Sequence, residues 1–183
     1  LSNSISHLWD IINVISIFPE IIESSFKGLT GKALEKNIAE LKLIDLKEFS
    51  NNGYGAVDDA PYGGGEGMVI GIEPLEKSLE TIEKPGHVIC LTPQGSIFNQ
   101  TKAIELSKLK DLTFICGRYE GVDERFLIHN EIEEVSVGDF VLSGGEIGAQ
   151  LIMDATIRPI PDVVGNAAGL IDESFERHLL EYP

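Results

Sequence analysis

Apolar positions along the chain fall into short β-branched runs separated by stretches with helical spacing. Residues 11–18 are rich in Ile and Val and stop at Pro19, the pattern of a buried strand. Pro19 occupies the first-turn position that proline tolerates, so a short amphipathic helix is expected over residues 20–26. A second helical stretch at 30–36 and a strand at 41–45 follow. Residues 73–82 place Leu75, Leu79 and Ile82 on one helical face, and residues 87–91 read as a strand closed by a turn at Thr92-Pro93-Gln94-Gly95. The cycle repeats with a helix at 99–109, a strand at 112–116 and a glycine-bearing loop at 117–121. A strand at 131–136 precedes Ser143-Gly144-Gly145, after which residues 146–157 form a helix with a broad apolar face, ended by Pro159 and Pro161. Strands alternating with helices predict an α/β fold, a mostly parallel sheet flanked by helices on both faces.

Two stretches depart from this rhythm. Residues 51–67 are dominated by Asn, Gly, Asp and Pro and follow neither period, so they read as loop. A loop of that length in a compact domain is usually functional, which makes it the first place to look for a site. Residues 162–183 show little periodicity and are expected on the surface.

Three further loops, 92–95, 117–121 and 138–145, leave strands carrying glycine. In parallel sheets ligands bind at the carboxyl ends of strands, and glycine allows close backbone approach. The loops are therefore either tight turns alone or the walls of a backbone-lined pocket for a flat ligand such as adenine. GxGxxG after the first strand is absent, and Gly31-Lys32 lacks the upstream glycine of a P-loop and is followed by Ala33. The glycine cluster at 63–67 lies in the irregular loop, so the common nucleotide-binding folds are disfavoured.

Composition narrows the setting. With 183 residues, 43% of them hydrophobic, the chain is long enough for one domain with its own core. Cys90 and Cys116 each end an apolar run without a CxxC partner and read as small buried hydrophobes, which implies a reducing, cytoplasmic setting. The four histidines show no zinc-binding spacing, and no apolar run suits a signal peptide or a bilayer span, so no metal site and no membrane are expected. A net charge of −16 argues by itself against a nucleic-acid partner, although it limits the average field and not a local patch.

Three strings change that picture: VDDAPYGGGEGM at 57–68, CGRYEGVDER at 116–125 and VGDFVLSGGE at 137–146. Together with Ile17-Phe18-Pro19 and the closing Leu180-Glu181-Tyr182-Pro183, they resemble the bacterial tRNA (guanine-N1)-methyltransferase family of the SPOUT superfamily, from about residue 11 to 183 in one order. The resemblance implies a deep trefoil knot over residues 1–161, an active-site segment over 162–183, and absence of the family's C-terminal tRNA-binding domain. It implies a homodimer acting on tRNA with S-adenosylmethionine as methyl donor, and magnesium as a further requirement.

Residue by residue, the likeness places the cofactor against Thr92, Pro93 and Gly95, against Gly117, Tyr119 and Glu120, and against Val137, Gly138, Asp139, Phe140, Val141, Leu142, Gly144 and Gly145. Asp58, Asp59, Tyr62, Gly63 and Gly64 are the matching substrate-binding positions. Methylating N1 of guanine removes a proton and shifts electron density toward O6, so it wants a base and a positive donor. The likeness assigns Glu173 and Arg158 to these roles; read locally, Arg158 would simply pair with Asp154 four residues earlier.

This chain departs from the family pattern in three ways. Asn52-Gly53-Tyr54-Gly55-Ala56 stands where basic residues are usual, Glu173 replaces an aspartate with Asp172 as the alternative base, and the sequence stops at Pro183. The competing reading is a non-catalytic dimeric relative that keeps the cofactor pocket and serves as an interaction module.

Overall fold

The computed structural model describes residues 11–24, 26–50, 55–160 and 163–164. In chain order these form β1 (Ile11–Ser16), α1 (Pro19–Glu23), α2 (Gly28–Glu35), β2 (Glu40–Asp45), a 3₁₀ turn (Leu46–Phe49), β3 (Asp58–Asp59), β4 (Val69–Ile70), α3 (Ile72–Glu80), β5 (His87–Ile97), α4 (Gln100–Leu106), β6 (Asp111–Cys116), α5 (Glu124–His129), β7 (Glu133–Ser136) and α6 (Gly145–Ile157). Five strands make one sheet in the order β2-β1-β6-β5-β7, and every neighbouring pair is parallel.

Side-chain alternation along the strands divides the core in two. Ile12 and Val14 of β1, Ile89 and Leu91 of β5, and Leu112, Phe114 and Cys116 of β6 pack on one face with Leu106 of α4 and Ala149, Ile152, Met153 and Ile157 of α6. On the other face Ile15, Cys90 and Ile115 meet Leu75 of α3 and Phe126 and Leu127 of α5. Helices thus cover both faces, and the β-branched runs form strands because both sides of the sheet are buried. The two cysteines, free and buried, lie on adjacent strands but on opposite faces, which is incompatible with a disulfide between them.

Asn13 and Thr113, two fully buried polar side chains of this core, are matched. Asn13 of β1 donates to Thr113 Oγ1 at 3.3 Å, and Thr113 donates to the Pro85 carbonyl at 2.6 Å. Two helix starts are secured by side chains: Asn99 accepts from Lys102 N at 3.0 Å ahead of α4, and Asp123 from Arg125 N at 3.0 Å ahead of α5.

Some expected elements differ. The strand expected to close at Thr92 continues as β5 to Ile97, because the chain arches outward and then re-engages β7: Leu91 and Ser96 both lie opposite Val135. The long loop holds a short strand, β3, paired antiparallel with β4. Helix α5 falls outside the expected elements, since its six residues are too few to show a period. Residues 162–183 lie outside the described residues except Val163 and Val164; Val163 is buried in the α6-side core.

Candidate active site

The carboxyl ends of β5, β6 and β7 open onto one cavity of about 370 Å³. Its wall includes Thr92, Pro93, Gly117, Tyr119, Glu120, Val137, Gly138, Phe140, Val141, Leu142, Gly144 and Gly145, so the structure brings most of the expected cofactor positions together. Gly95 and Asp139 lie off the wall, and Gly95 has a different task. A Cβ there would fall 2.4 Å from the Glu134 carbonyl carbon and from Val135 N, so only glycine lets the arch rejoin β7.

The second and third loops are fastened to each other and to the long loop. Gly145 N donates to the Gly117 carbonyl at 2.9 Å, and a Cβ on Gly145 would come within 2.8 Å of Cys116 Cα. Glu120 N donates to the Met68 carbonyl and Ile70 N to the Gly121 carbonyl, each at 2.9 Å, which seats the end of the long loop on the cavity rim. Tyr119 takes a positive φ of 59°, an uncommon state for a residue with a side chain, and is held there half exposed. Phe140 is similarly exposed, and Val141 stands clear at 88%.

The cavity wall is acidic on one side. Glu120, Glu124 and Glu134 line it, and the Glu134 carboxyl is raised above the usual range by burial and then by the Glu124 charge. Burial, reinforced by Glu134, pushes the Cys90 thiol up to about 12, and burial holds Cys116 well above its ordinary value. Neither thiol can act as a nucleophile near neutral pH. Arg118 on the wall is paired with the buried Glu146 behind it.

The remaining expected residues are spread more widely. Asp58 and Asp59 form β3, and Asp59 accepts from Ala60 N at 2.7 Å. Tyr62 is 79% exposed, with the Arg125 guanidinium 4.3 Å from its ring centroid, and Gly63 and Gly64 take positive φ values of 90° and 83°. Asp123 holds Arg125 through two contacts of 2.9 and 2.6 Å, and this hydrogen bonding lowers the Asp123 carboxyl.

Arg158 caps the far end of α6; at about 1.5 Å per residue this is roughly 20 Å along the helix from Gly145 and roughly 15 Å from Gly148, both of which line the cavity. Asp154, the partner a local reading would give it, accepts from Thr30 Oγ1 at 2.6 Å. Glu173 lies outside the described residues. Among the described residues there is no group of three or more His, Cys, Asp or Glu that could hold a metal ion.

Local reading of the strings misses Arg118, Glu134 and Glu146 as site features. Their partners are distant in sequence, and the one signal is their place inside or beside the quoted strings.

The sequence pattern of the family described as tRNA (Guanine-1)-methyltransferase TrmD matches residues 11–183. The chain belongs to that family. Among its relatives, the tRNA (guanine-N(1)-)-methyltransferase of Dictyoglomus turgidum is 46% identical over 175 residues, covering 94% of this chain and 71% of the relative. The proteins of the same name from Lactobacillus johnsonii and Pelagibacter ubique are each 44% identical, covering 94% and 93% of this chain and 71% and 75% of the relatives. Family membership fits the parallel α/β sheet with its cavity at the strand ends.

Proposed function

We propose that this chain transfers a methyl group from S-adenosylmethionine to N1 of the guanine next to the anticodon in tRNA. The observation that carries this reading is the glycine-lined cavity at the ends of three parallel strands, in a chain whose relatives are named tRNA (guanine-N(1)-)-methyltransferase. Its volume of about 370 Å³ lies in the range of small-ligand sites. At Gly145, on the wall, a Cβ would strike the Cys116 backbone, so glycine is what lets the start of α6 close against the 117–121 loop there. No helix among the described residues is long and apolar enough to cross a membrane, in keeping with a cytoplasmic enzyme of tRNA processing.

The 92–94 arch and the 117–121 and 137–145 loops would hold the cofactor. S-adenosylmethionine, when bound, supplies a methyl group already activated on a sulfonium, so the protein's tasks are alignment and charge. Arg158 donates to guanine O6 as negative charge gathers there, and Glu173 takes the N1 proton. A neutral-to-anionic shift at O6 is what a fixed guanidinium favours over water.

Arg158 stands at the end of α6 opposite to the Gly145 end that lines the cavity, an arrangement that suits a homodimer in which each protomer lends Arg158 and Glu173 to the other's pocket. Ile147 and Leu151, one turn apart on the outer face of α6, are 55% and 46% exposed, and with Phe140 and Val141 they offer an apolar surface to the second copy. The trefoil knot belongs to the same reading. Ile147→Lys combined with Leu151→Lys is expected to yield monomers by sedimentation analysis, and dimers of unchanged stability would remove the shared-site model.

The function is tested with tritiated methyl transfer to a tRNA carrying guanine after the anticodon. Arg158→Ala should lower turnover by roughly a hundredfold or more, the scale of losing a transition-state donor, with cofactor affinity by calorimetry changed by less than about twofold. Undiminished turnover in that variant would refute the role of Arg158; absence of transfer by the unaltered protein would refute the function.

A further inference from the structure

Directly behind the cavity wall, one carboxylate is sealed from solvent. Glu146, in the first turn of α6, is 1% exposed and is gripped from two elements. Ser16, the last residue of β1, donates its hydroxyl to Glu146 Oε1 at 2.7 Å. Arg118 Nε lies 3.3 and 3.1 Å from the two carboxylate oxygens, and Arg118 Nη2 is 2.9 Å from Oε2.

The same guanidinium reaches onward. Arg118 Nη1 donates to the Ser143 carbonyl at 3.1 Å, and the group sits 4.8 Å from the centroid of the Phe18 ring. Phe18 N in turn donates to Ser16 Oγ at 2.9 Å, closing a ring of contacts. Gly144 completes the fit: a Cβ there would lie 2.2 Å from Arg118 Nε and 2.5 Å from Glu146 Oε2, so a side chain at 144 would displace the ion pair.

Arg118 and Ser143 belong to two different loops of the wall, and Glu146 is absent from the wall itself. A buried carboxylate is stable only while its partners stay in place, so its need for Arg118 fixes where the 117–121 loop runs. Through Ser143 that geometry extends to the 137–144 loop. A binding site that must first order its loops loses affinity by the fraction of time it is unformed.

We propose that Glu146 is a positioning residue: by holding Arg118 against Ser16 and Ser143, it keeps the two glycine loops in the shape that receives the methyl donor. This rests on the reading of the cavity as the S-adenosylmethionine site. Glu146 touches no substrate in this scheme, and its loss acts on cofactor binding and not on the grip on tRNA.

The test is calorimetry of the full chain with S-adenosylmethionine, alongside steady-state kinetics varying the cofactor and the tRNA separately. Glu146→Gln should weaken cofactor binding by about tenfold or more, raising KM for S-adenosylmethionine while KM for tRNA stays within about twofold. Ser16→Ala, which removes one donor to Glu146 and the acceptor of Phe18 N but leaves the ion pair, should fold and weaken cofactor binding by a smaller factor, about threefold. If the unaltered protein does not bind S-adenosylmethionine, the reading of the cavity falls and the proposal with it. If the unaltered protein binds and both variants match it, the cavity keeps its assignment and the positioning role is overturned. Equal losses toward cofactor and tRNA would also overturn it, since they mark a general structural role. Should Glu146→Gln fail to fold, Ser16→Ala decides: weaker cofactor binding supports the proposal, unchanged binding sinks it.

Discussion

Glu133 and Glu134 are neighbours on β7, yet the sheet sends them to opposite faces and the protein treats them in opposite ways. Glu133 turns toward α4, where Lys102 Nζ lies 2.6 Å away and the His87 ring reaches its other oxygen. Burial pushes its carboxyl up, but the hydrogen bonds and charges of Lys102 and His87 outweigh that and leave it below the ordinary range. Glu134 turns toward α5 and the cavity, where burial and the Glu124 charge raise it instead. One face uses its carboxylate to hold β5, α4 and β7 together; the other keeps an acid at the rim of a ligand site, where stability alone would not put it.

The contrast can be broken at its root. Gly95→Ala places a methyl 2.4 Å from the backbone between Glu134 and Val135, and should separate β5 from β7 with a loss of about 3 kcal/mol, at the upper end of overpacking effects. Urea unfolding reads this directly, and a loss under about 1 kcal/mol would show that the arch re-forms without glycine.

Glu133→Gln tests the paired face alone. A carboxyl lowered in the folded protein contributes stability that is present above its unfolded value near 4.5 and is lost as pH falls through the folded value. The variant should be less stable at pH 7 by about 1 kcal/mol, discounted for partial exposure, and the gap to the unaltered protein should close below about pH 4. A gap that persists unchanged at low pH would mean that the side chain acts through packing.

Glu134→Gln gives the smallest effect, with the sign reversed. A raised carboxyl contributes stability that is full below the unfolded value near 4.5 and is lost as pH rises through the folded value. The neutral variant should therefore equal or exceed the unaltered protein at pH 7 by roughly a few tenths of a kcal/mol, and lose that advantage on acidification. Thermal melts across about pH 4 to 7 suffice, and a clear destabilisation at neutral pH would erase the distinction between the faces.

Much of the scaffold was legible in the chain. Strands β1 and β6 announced themselves as β-branched runs because a parallel sheet buries both faces, and α6 showed its apolar stripe and its proline stop. The three strings and their glycines identified the family and marked the loops that converge on the cavity. Such features are local: propensity, periodicity and the freedom of glycine act over a few residues, so sequence order preserves them.

Other features arose only when distant segments met. The 92–95 arch depends on β5 regaining its register against β7, and no local pattern separates that from a turn ending the strand. Glu146 looked like a first-turn helix acid until β1, 130 positions away, supplied Ser16, and the loop 28 positions back supplied Arg118. Opposite fates for Glu133 and Glu134 follow from which helix covers each face, and the distance of Arg158 from its own cavity follows from the length of α6. The sequence by itself determined which segments could become strands, helices and glycine loops; burial and charge pairing between remote segments, which depend on three-dimensional proximity, decided which polar groups would stabilise the fold and which would face the ligand.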